Sequence, residues 1–320
     1  FADANEDVTT RVLAAEWAIG RDYASQLIGR SIGGRLQVDL NNSSGDYNSF
    51  NAASPLSGSI LPGRKVQVRR VPPLGYYGSY DGSGTMYLHV PPNGSIDNLF
   101  DGTGCIEWLF YATTATGGRI ADKSNNSGVG WNMRANATGT AFQFQFTQLF
   151  ATGLIDWNSD ALSLGTWYRG AINYDNGSTA NNPTLYIDGT VTALTRAETT
   201  PSGTRDSDAA ISMYVGNRAA LSSPWHGGID DFRMWSTARS SADLDSNKWK
   251  ELTGTETGLV AYLRWDEGTG TSIKDAAGIG TGTFVGGTWG YQQSVLWSGF
   301  LDRVEPRPDT KALNVAVLHA

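Results

Sequence analysis

The chain has 320 residues, of which 39 are glycine, 17% are charged and 11% are aromatic. That balance suits many short strands joined by tight turns, and the length exceeds one ordinary domain, so two β-rich cores are expected. A net charge of −7 leaves no global positive field, which excludes nucleic acid and anionic membrane surfaces as expected partners.

No run approaches the roughly 18 apolar residues needed to cross a bilayer, so no membrane insertion is expected. The lone cysteine, Cys105, cannot form an intrachain disulfide and sits in the largely apolar run 105–110, which places it in a core.

In chain order, residues 12–17 and 35–40 read as strands. Leu36, Val38 and Leu40 alternate with Arg35, Gln37 and Asp39, the period of a half-buried strand. Residues 41–61, dense in Asn, Ser, Gly and Pro, read as a long loop anchored by Tyr47, Phe50 and Leu56. Pro62-Gly63 then turns the chain into the strand 64–71.

Strands follow at 142–146, 168–174, 184–187, 211–215, 232–235 and 259–265, with turn signals at Asp175-Asn176-Gly177, Asp188-Gly189 and Gly227-Gly228. In 142–146 three phenylalanines alternate with glutamines. The one helix expected is 240–252, capped by Ser240 or Ser241 and ended by Gly254. Short strands at this spacing predict a sandwich.

Four ordered blocks carry a resemblance. They are 80–88 (Tyr-Asp-Gly-Ser-Gly-Thr-Met-Tyr-Leu) with 104–108 (Gly-Cys-Ile-Glu-Trp); 165–168 (Gly-Thr-Trp-Tyr) with 185–189 (Leu-Tyr-Ile-Asp-Gly); 227–235 (Gly-Gly-Ile-Asp-Asp-Phe-Arg-Met-Trp) with 238–240 (Ala-Arg-Ser); and 258–268 (Gly-Leu-Val-Ala-Tyr-Leu-Arg-Trp-Asp-Glu-Gly) with 275–278 (Asp-Ala-Ala-Gly). Together they resemble a laminin-G or pentraxin-like domain of the concanavalin A-like lectin and glucanase superfamily.

The flanks resemble another family. Residues 7–9, 16–17, 33–42, 47–50, 54–56 and 61–66 (Leu-Pro-Gly-Arg-Lys-Val) look like the amino-terminal domain of minor tail or hub proteins of long-tailed bacteriophages. The continuation of that pattern returns only at 296–306 (Leu-Trp-Ser-Gly-Phe-Leu-Asp-Arg-Val-Glu-Pro).

The resemblance therefore implies an all-β chain in which a split small β domain, 1–73 and 291–320, carries an inserted concanavalin A-like jelly-roll sandwich over 74–290. Pro72-Pro73 and Gly290 are its expected junctions.

Glycoside-hydrolysing relatives of this fold need carboxylates alternating along one strand, and no Glu-x-Asp-x-x-Glu run exists. Asp230-Asp231 and Asp266-Glu267 are adjacent pairs, which in a strand face opposite ways. His89, His226 and His319 are scattered and belong to no metal or triad motif. A non-enzymatic role is expected.

The resemblance implies calcium as the candidate cofactor, with Asp81, Asp230 and Asp275 as ligands, since carboxylates and carbonyls suit a hard cation. For a glycan surface the candidates are Trp131, Trp157 and Trp225, which stand in loop-like context. Trp108, Trp235 and Trp265 lie in apolar strands and are expected in the core. Arg64, Lys65, Arg69 and Arg70 read as the polar side of a strand or an interface to another subunit.

The function implied is a structural component of a phage tail, in the virion. Its inserted domain would bind host-surface glycans or neighbouring tail proteins, and the chain would form a homo-oligomer by analogy with ring-forming hub proteins. The alternative is a secreted bacterial carbohydrate-binding or glycoside-processing protein.

Overall fold

The computed structural model describes residues 12–18, 35–41, 52–53, 65–69, 75–199, 201–278, 280–292, 295–307 and 312–318. The expected anchors Tyr47, Phe50 and Leu56, as well as His319, lie outside them. The chain separates into two compact units, residues 1–70 with 295–320, and residues 71–294.

The first unit contains β1 (Val12–Ala18), β2 (Arg35–Asn41) and β3 (Lys65–Arg69). Next along the chain come β4 (Gly75–Asp81), β5 (Tyr87–Val90), β6 (Gly104–Ala112), β7 (Gly118–Ser124), β8 (Gly130–Thr138), β9 (Ala141–Leu149) and β10 (Leu154–Leu162). These are followed by β11 (Tyr168–Tyr174), β12 (Thr184–Ile187), β13 (Thr190–Thr192), β14 (Leu194–Glu198), β15 (Met213–Val215) and β16 (His226–Trp235). The helix α1 (Ser241–Asn247), β17 (Leu259–Leu263), β18 (Ser272–Lys274), β19 (Thr281–Val285) and β20 (Thr288–Gln292) complete the second unit. The last strands, β21 (Val295–Arg307) and β22 (Ala312–Leu318), return to the first unit.

The first unit is an antiparallel sheet in the order β1-β2-β22-β21-β3. Lys65 pairs with Phe300 and Val66 with Gly299, so segments separated by more than two hundred residues lie side by side in one ladder.

The second unit is a β-sandwich of a nine-stranded sheet, β14-β10-β9-β8-β7-β15-β5-β19-β18, and an eight-stranded sheet, β13-β12-β11-β6-β16-β4-β20 with β17 paired to β16. Gly290, expected at a junction, instead lies within β20 opposite Tyr77. A Cβ at Gly290 would sit 2.0 Å from Tyr77 Cζ, so the glycine makes room for a ring rather than for a hinge.

The core follows from strand alternation. Leu88, Val215, Ala121, Met133, Phe146 and Trp157 succeed one another across six strands of the nine-stranded sheet, each at most 1% exposed. Across the interior, Trp108 of the facing sheet stacks on Phe144 at 5.1 Å. Cys105 is buried in a second cluster with Trp235, Leu244, Leu252 and Tyr262, between the eight-stranded sheet and the α1 segment.

Two expectations about local structure are corrected. Gly227-Gly228 is not a turn but part of β16, paired on one side with β4 and on the other with β6, and the glycine makes room for the rings of Tyr111 and Trp167, since a Cβ at Gly228 would be 2.3 Å from Tyr111. Helix α1 is capped by Ser240, whose side chain accepts from Asp243 N, but it ends at Asn247 rather than near Leu252. Asn247 O accepts from Lys250 N and from Arg233 Nη1, both at 3.1 Å, in place of the next helical bond.

Candidate functional site

The residues that alternate with the core row build the opposite face of the nine-stranded sheet. In register from edge to edge they are Ser272, Thr283, His89, Tyr214, Asp122, Asn132, Thr147, Asp156 and Ala197. Only the last lacks a polar group. Shifting any strand by one residue would turn this face into the core, so hydrophobic burial of the other row fixes the register of the polar one.

A second row, Arg134, Gln145 and Asn158, runs beside it. Arg134 Nε donates to Gln145 Oε1, Gln145 Nε2 donates to Asn158 Oδ1 at 2.9 Å, and Thr147 Oγ1 donates to Asp156 Oδ1 at 2.5 Å. Arg119 donates to Asn132 Oδ1 and lies 3.0 Å from Asp122 Oδ2, while Asp122 Oδ1 accepts from Ser124 N and Oγ. Arg119, Asp122, Asn132, Gln145 and Thr147 are buried and hold the partly exposed Arg134, Asp156 and Asn158 in place, so a ligand would meet these three as fixed rather than mobile groups.

Burial sets the electrostatics. It lowers Arg119 to about 10 against the pull of Asp122, with Arg134 and Arg218 adding to the decrease. It also raises the Asp122 carboxyl, with Arg119 opposing. For both partners desolvation outweighs attraction, the usual balance for a buried pair.

Beside the polar lattice stand three partly exposed rings. Tyr214 lies 5.7 Å from Tyr87 and 5.1 Å from His89 between ring centroids. Burial raises the Tyr214 hydroxyl, and Tyr87 adds to this.

The tryptophans expected on a glycan surface are elsewhere. Trp131, Trp157 and Trp225 are each 1% exposed. Trp131 packs 5.6 Å from Phe100, Trp157 lies 5.9 Å from Phe146, and Trp225 lies 6.4 Å from both Phe110 and Phe142. None has a face free for a sugar ring. Their turn-like neighbours misled: Gly130, with φ +90, begins a strand against the Lys123 carbonyl, and Pro224 leads Trp225 tightly past Gly118. Trp157 only backs a depression of about 360 Å³ between β13 and β14, bonded through Nε1 to Asn182.

The carboxylates expected to hold calcium are not brought together. Asp81 pairs with His226 at one end of β16, whereas Asp230 stands four residues along that strand, and Asp275 bridges to Leu263 beyond it. Asp81 accepts from Ser83 N, Asp230 from Asp231 N, and Asp275 from the backbone of Tyr262, Ala277 and Gly278. Among the described residues no group of three or more His, Cys, Asp or Glu gathers in a metal-binding arrangement, so these three do not fit a shared calcium site.

Asp231, next to Asp230 within β16, has a separate role. With φ +48 beside a register shift, it lies 2.7 Å from Arg169 and 2.8 Å from Arg233. Burial opposes its ionisation, but the two guanidiniums prevail and hold its carboxyl below the ordinary range.

The comparisons with known proteins agree with the sandwich. Residues 81–258, more than half of the chain, match the Laminin_G_3 family of the concanavalin A-like lectin/glucanases superfamily. The chain belongs to this superfamily. No curated protein matches the sequence.

Among solved structures, this laminin-G-type chain is similar to a candidate carbohydrate-binding protein from Bacteroides ovatus ATCC 8483. The TM-score is 0.50 and the identity 20%, over 70% of this chain and 62% of that one. The chain therefore spans less than two thirds of that relative, and the likeness is one of fold.

It is also similar to a heptameric SAP-like pentraxin from Limulus polyphemus, at 12% identity and TM-score 0.43 over 67% of this chain and 97% of that one. A third similarity is to tailspike protein 2 of the Escherichia coli O157:H7 bacteriophage CAB120, at 12% identity and TM-score 0.38 over 61% and 30%.

Sequence reading missed the polar face because its residues come from nine strands, none of which carries a motif. The alternation in β8 (Asn132, Arg134 and Asn136 against Met133 and Ala135) was the available signal.

Proposed function

We propose that the sandwich is a non-catalytic carbohydrate-binding domain that receives its glycan on the outer face of the nine-stranded sheet. The cross-strand row supports this reading through its accessible members, Ser272, Thr283, His89, Tyr214 and Asp156, while Asp122, Asn132 and Thr147 between them are buried and form its base. Rings offer a flat apolar contact to a pyranose, and the amide, hydroxyl and guanidinium groups match its hydroxyls.

Catalysis by this face is disfavoured by distance. Asp122 and Asp156 stand on β7 and β10, three inter-strand steps or about 14 Å apart. Paired glycosidase carboxylates lie roughly 5 to 9.5 Å apart. Binding of the full chain to a glycan array, with and without calcium, together with an assay for release of reducing ends, tests the proposal. Saturable binding without hydrolysis is expected; hydrolysis would replace it with an enzymatic reading, and no binding to any glycan would remove it.

A finer reading places the chain in a phage tail. There the five-stranded sheet would dock to other tail proteins and the chain would form a homo-oligomer in the virion. It rests on the resemblance of the two flanks and is supported by the pairing of β3 with β21, which joins those flanks in one sheet. The protein's position in an intact particle tests it; absence from purified virions leaves the secreted carbohydrate-binding protein.

A further inference from the structure

We infer that the glycan taken by this face carries an oxyanion, a carboxylate or a sulfate ester, and that Arg134 and Arg218 hold it. The inference rests on the carbohydrate-binding reading and adds a charge class to it.

Three guanidiniums gather where β7, β8 and the loop after β15 meet. Arg119 pairs in register with Arg134, and its backbone N–H donates to Ser223 O in the loop that bears Arg218. Two carboxylates share this face. Asp122 is committed to Arg119 at 3.0 Å, and Asp156 accepts from Thr147.

Among the described residues neither Arg134 nor Arg218 forms a close ion pair, although the Arg218 charge also acts on Asp122. Arg134 donates only through Nε, to Gln145 Oε1; Arg218 donates through Nε and Nη2 to Ser222 Oγ. Both are partly exposed, which leaves guanidinium edges free toward solvent.

The loop that bears Arg218 is fixed. Buried Asn217 accepts from Arg218 N and Ser223 N, and donates to Gly84 O. In a chain with 31 acidic against 24 basic residues, three guanidiniums facing two carboxylates on one polar face are a local reversal of sign. A neutral sugar would need no such excess. A planar guanidinium offers a two-pronged, charge-assisted match to a carboxylate or sulfate.

The test is calorimetry of the full chain with four polymers: polygalacturonate, its carboxyl-reduced counterpart, dextran sulfate and dextran. At least one acidic polymer is expected to bind about tenfold or more tightly than its neutral counterpart, and the two acidic arms separate carboxylate from sulfate. Arg134→Gln and Arg218→Gln should each weaken acidic binding by about tenfold while a cooperative thermal transition shows that both variants stay folded.

Equal or preferential binding of the neutral polymers, or acidic binding unaltered in both variants, overturns the inference but leaves carbohydrate binding standing. No binding to these polymers or to any glycan on an array overturns both.

Discussion

Glu107 Oε2 lies 3.1 Å from Arg169 Nη2, with both side chains 2% exposed, beneath the segment that carries α1. The same carboxylate lies 3.3 Å from Arg233 Nη1, and its other oxygen accepts from Trp235 Nε1 at 2.7 Å. Arg233 in turn donates to the carbonyls of Asn247 and Lys250. One acidic residue in β6 thereby organises two arginines and the chain that covers the sheet. Glu107→Gln removes the charge that faces both arginines and is expected to cost about 3 to 5 kcal/mol, the scale for breaking a buried ion pair. Urea unfolding checks this; a loss below about 1 kcal/mol would show that Asp231 alone compensates both guanidiniums.

Trp131 and Trp225 provide a test of core against surface. Each is 1% exposed, so Trp131→Ala and Trp225→Ala should destabilise by about 3 to 5 kcal/mol through cavity formation. Denaturant midpoints report the loss. A variant that kept its stability while losing glycan binding would return that tryptophan to the binding surface.

Tyr214 predicts the reverse pattern. It is partly exposed, stands opposite Asp122 and His89, and contacts Tyr87 and His89 rather than the core. Tyr214→Ala is expected to lower glycan affinity by about tenfold, the equivalent of about 1.4 kcal/mol, with stability changed by less than about 1 kcal/mol. Calorimetric binding and thermal melting of one preparation measure both quantities.

Asp266 gives the sandwich a pH dependence. Burial, then the neighbouring Glu251, pushes its carboxyl up to about 6. A folded-state value above the unfolded one stabilises at low pH, fully below the ordinary carboxylate range, and this contribution is lost as pH rises through about 6. Asp266→Asn, which stays neutral, should therefore gain in melting temperature relative to the parent between about pH 4 and about pH 7. A difference independent of pH would contradict the assignment.

Much of the fold was legible because strands state their faces locally. Phe142, Phe144 and Phe146 alternate with glutamines, and all three phenylalanines are fully buried. Ser240 announced the start of α1 through its own hydroxyl, whereas the helix end depended on Arg233, a distant side chain that claims the Asn247 and Lys250 carbonyls. The same distinction explains the misplaced tryptophans, since adjacent glycines and prolines report local backbone shape but not what packs against an indole.

By itself, then, the sequence determined the β architecture and the laminin-G-type family, because alternation and ordered blocks are properties of neighbouring residues. Only the tertiary structure decided which polar residues share a surface. Arg119, Asp122, Asn132, Arg134, Thr147, Asp156 and Tyr214 meet through register across five strands, and that register is set by burial of the opposite row rather than by any spacing along the chain.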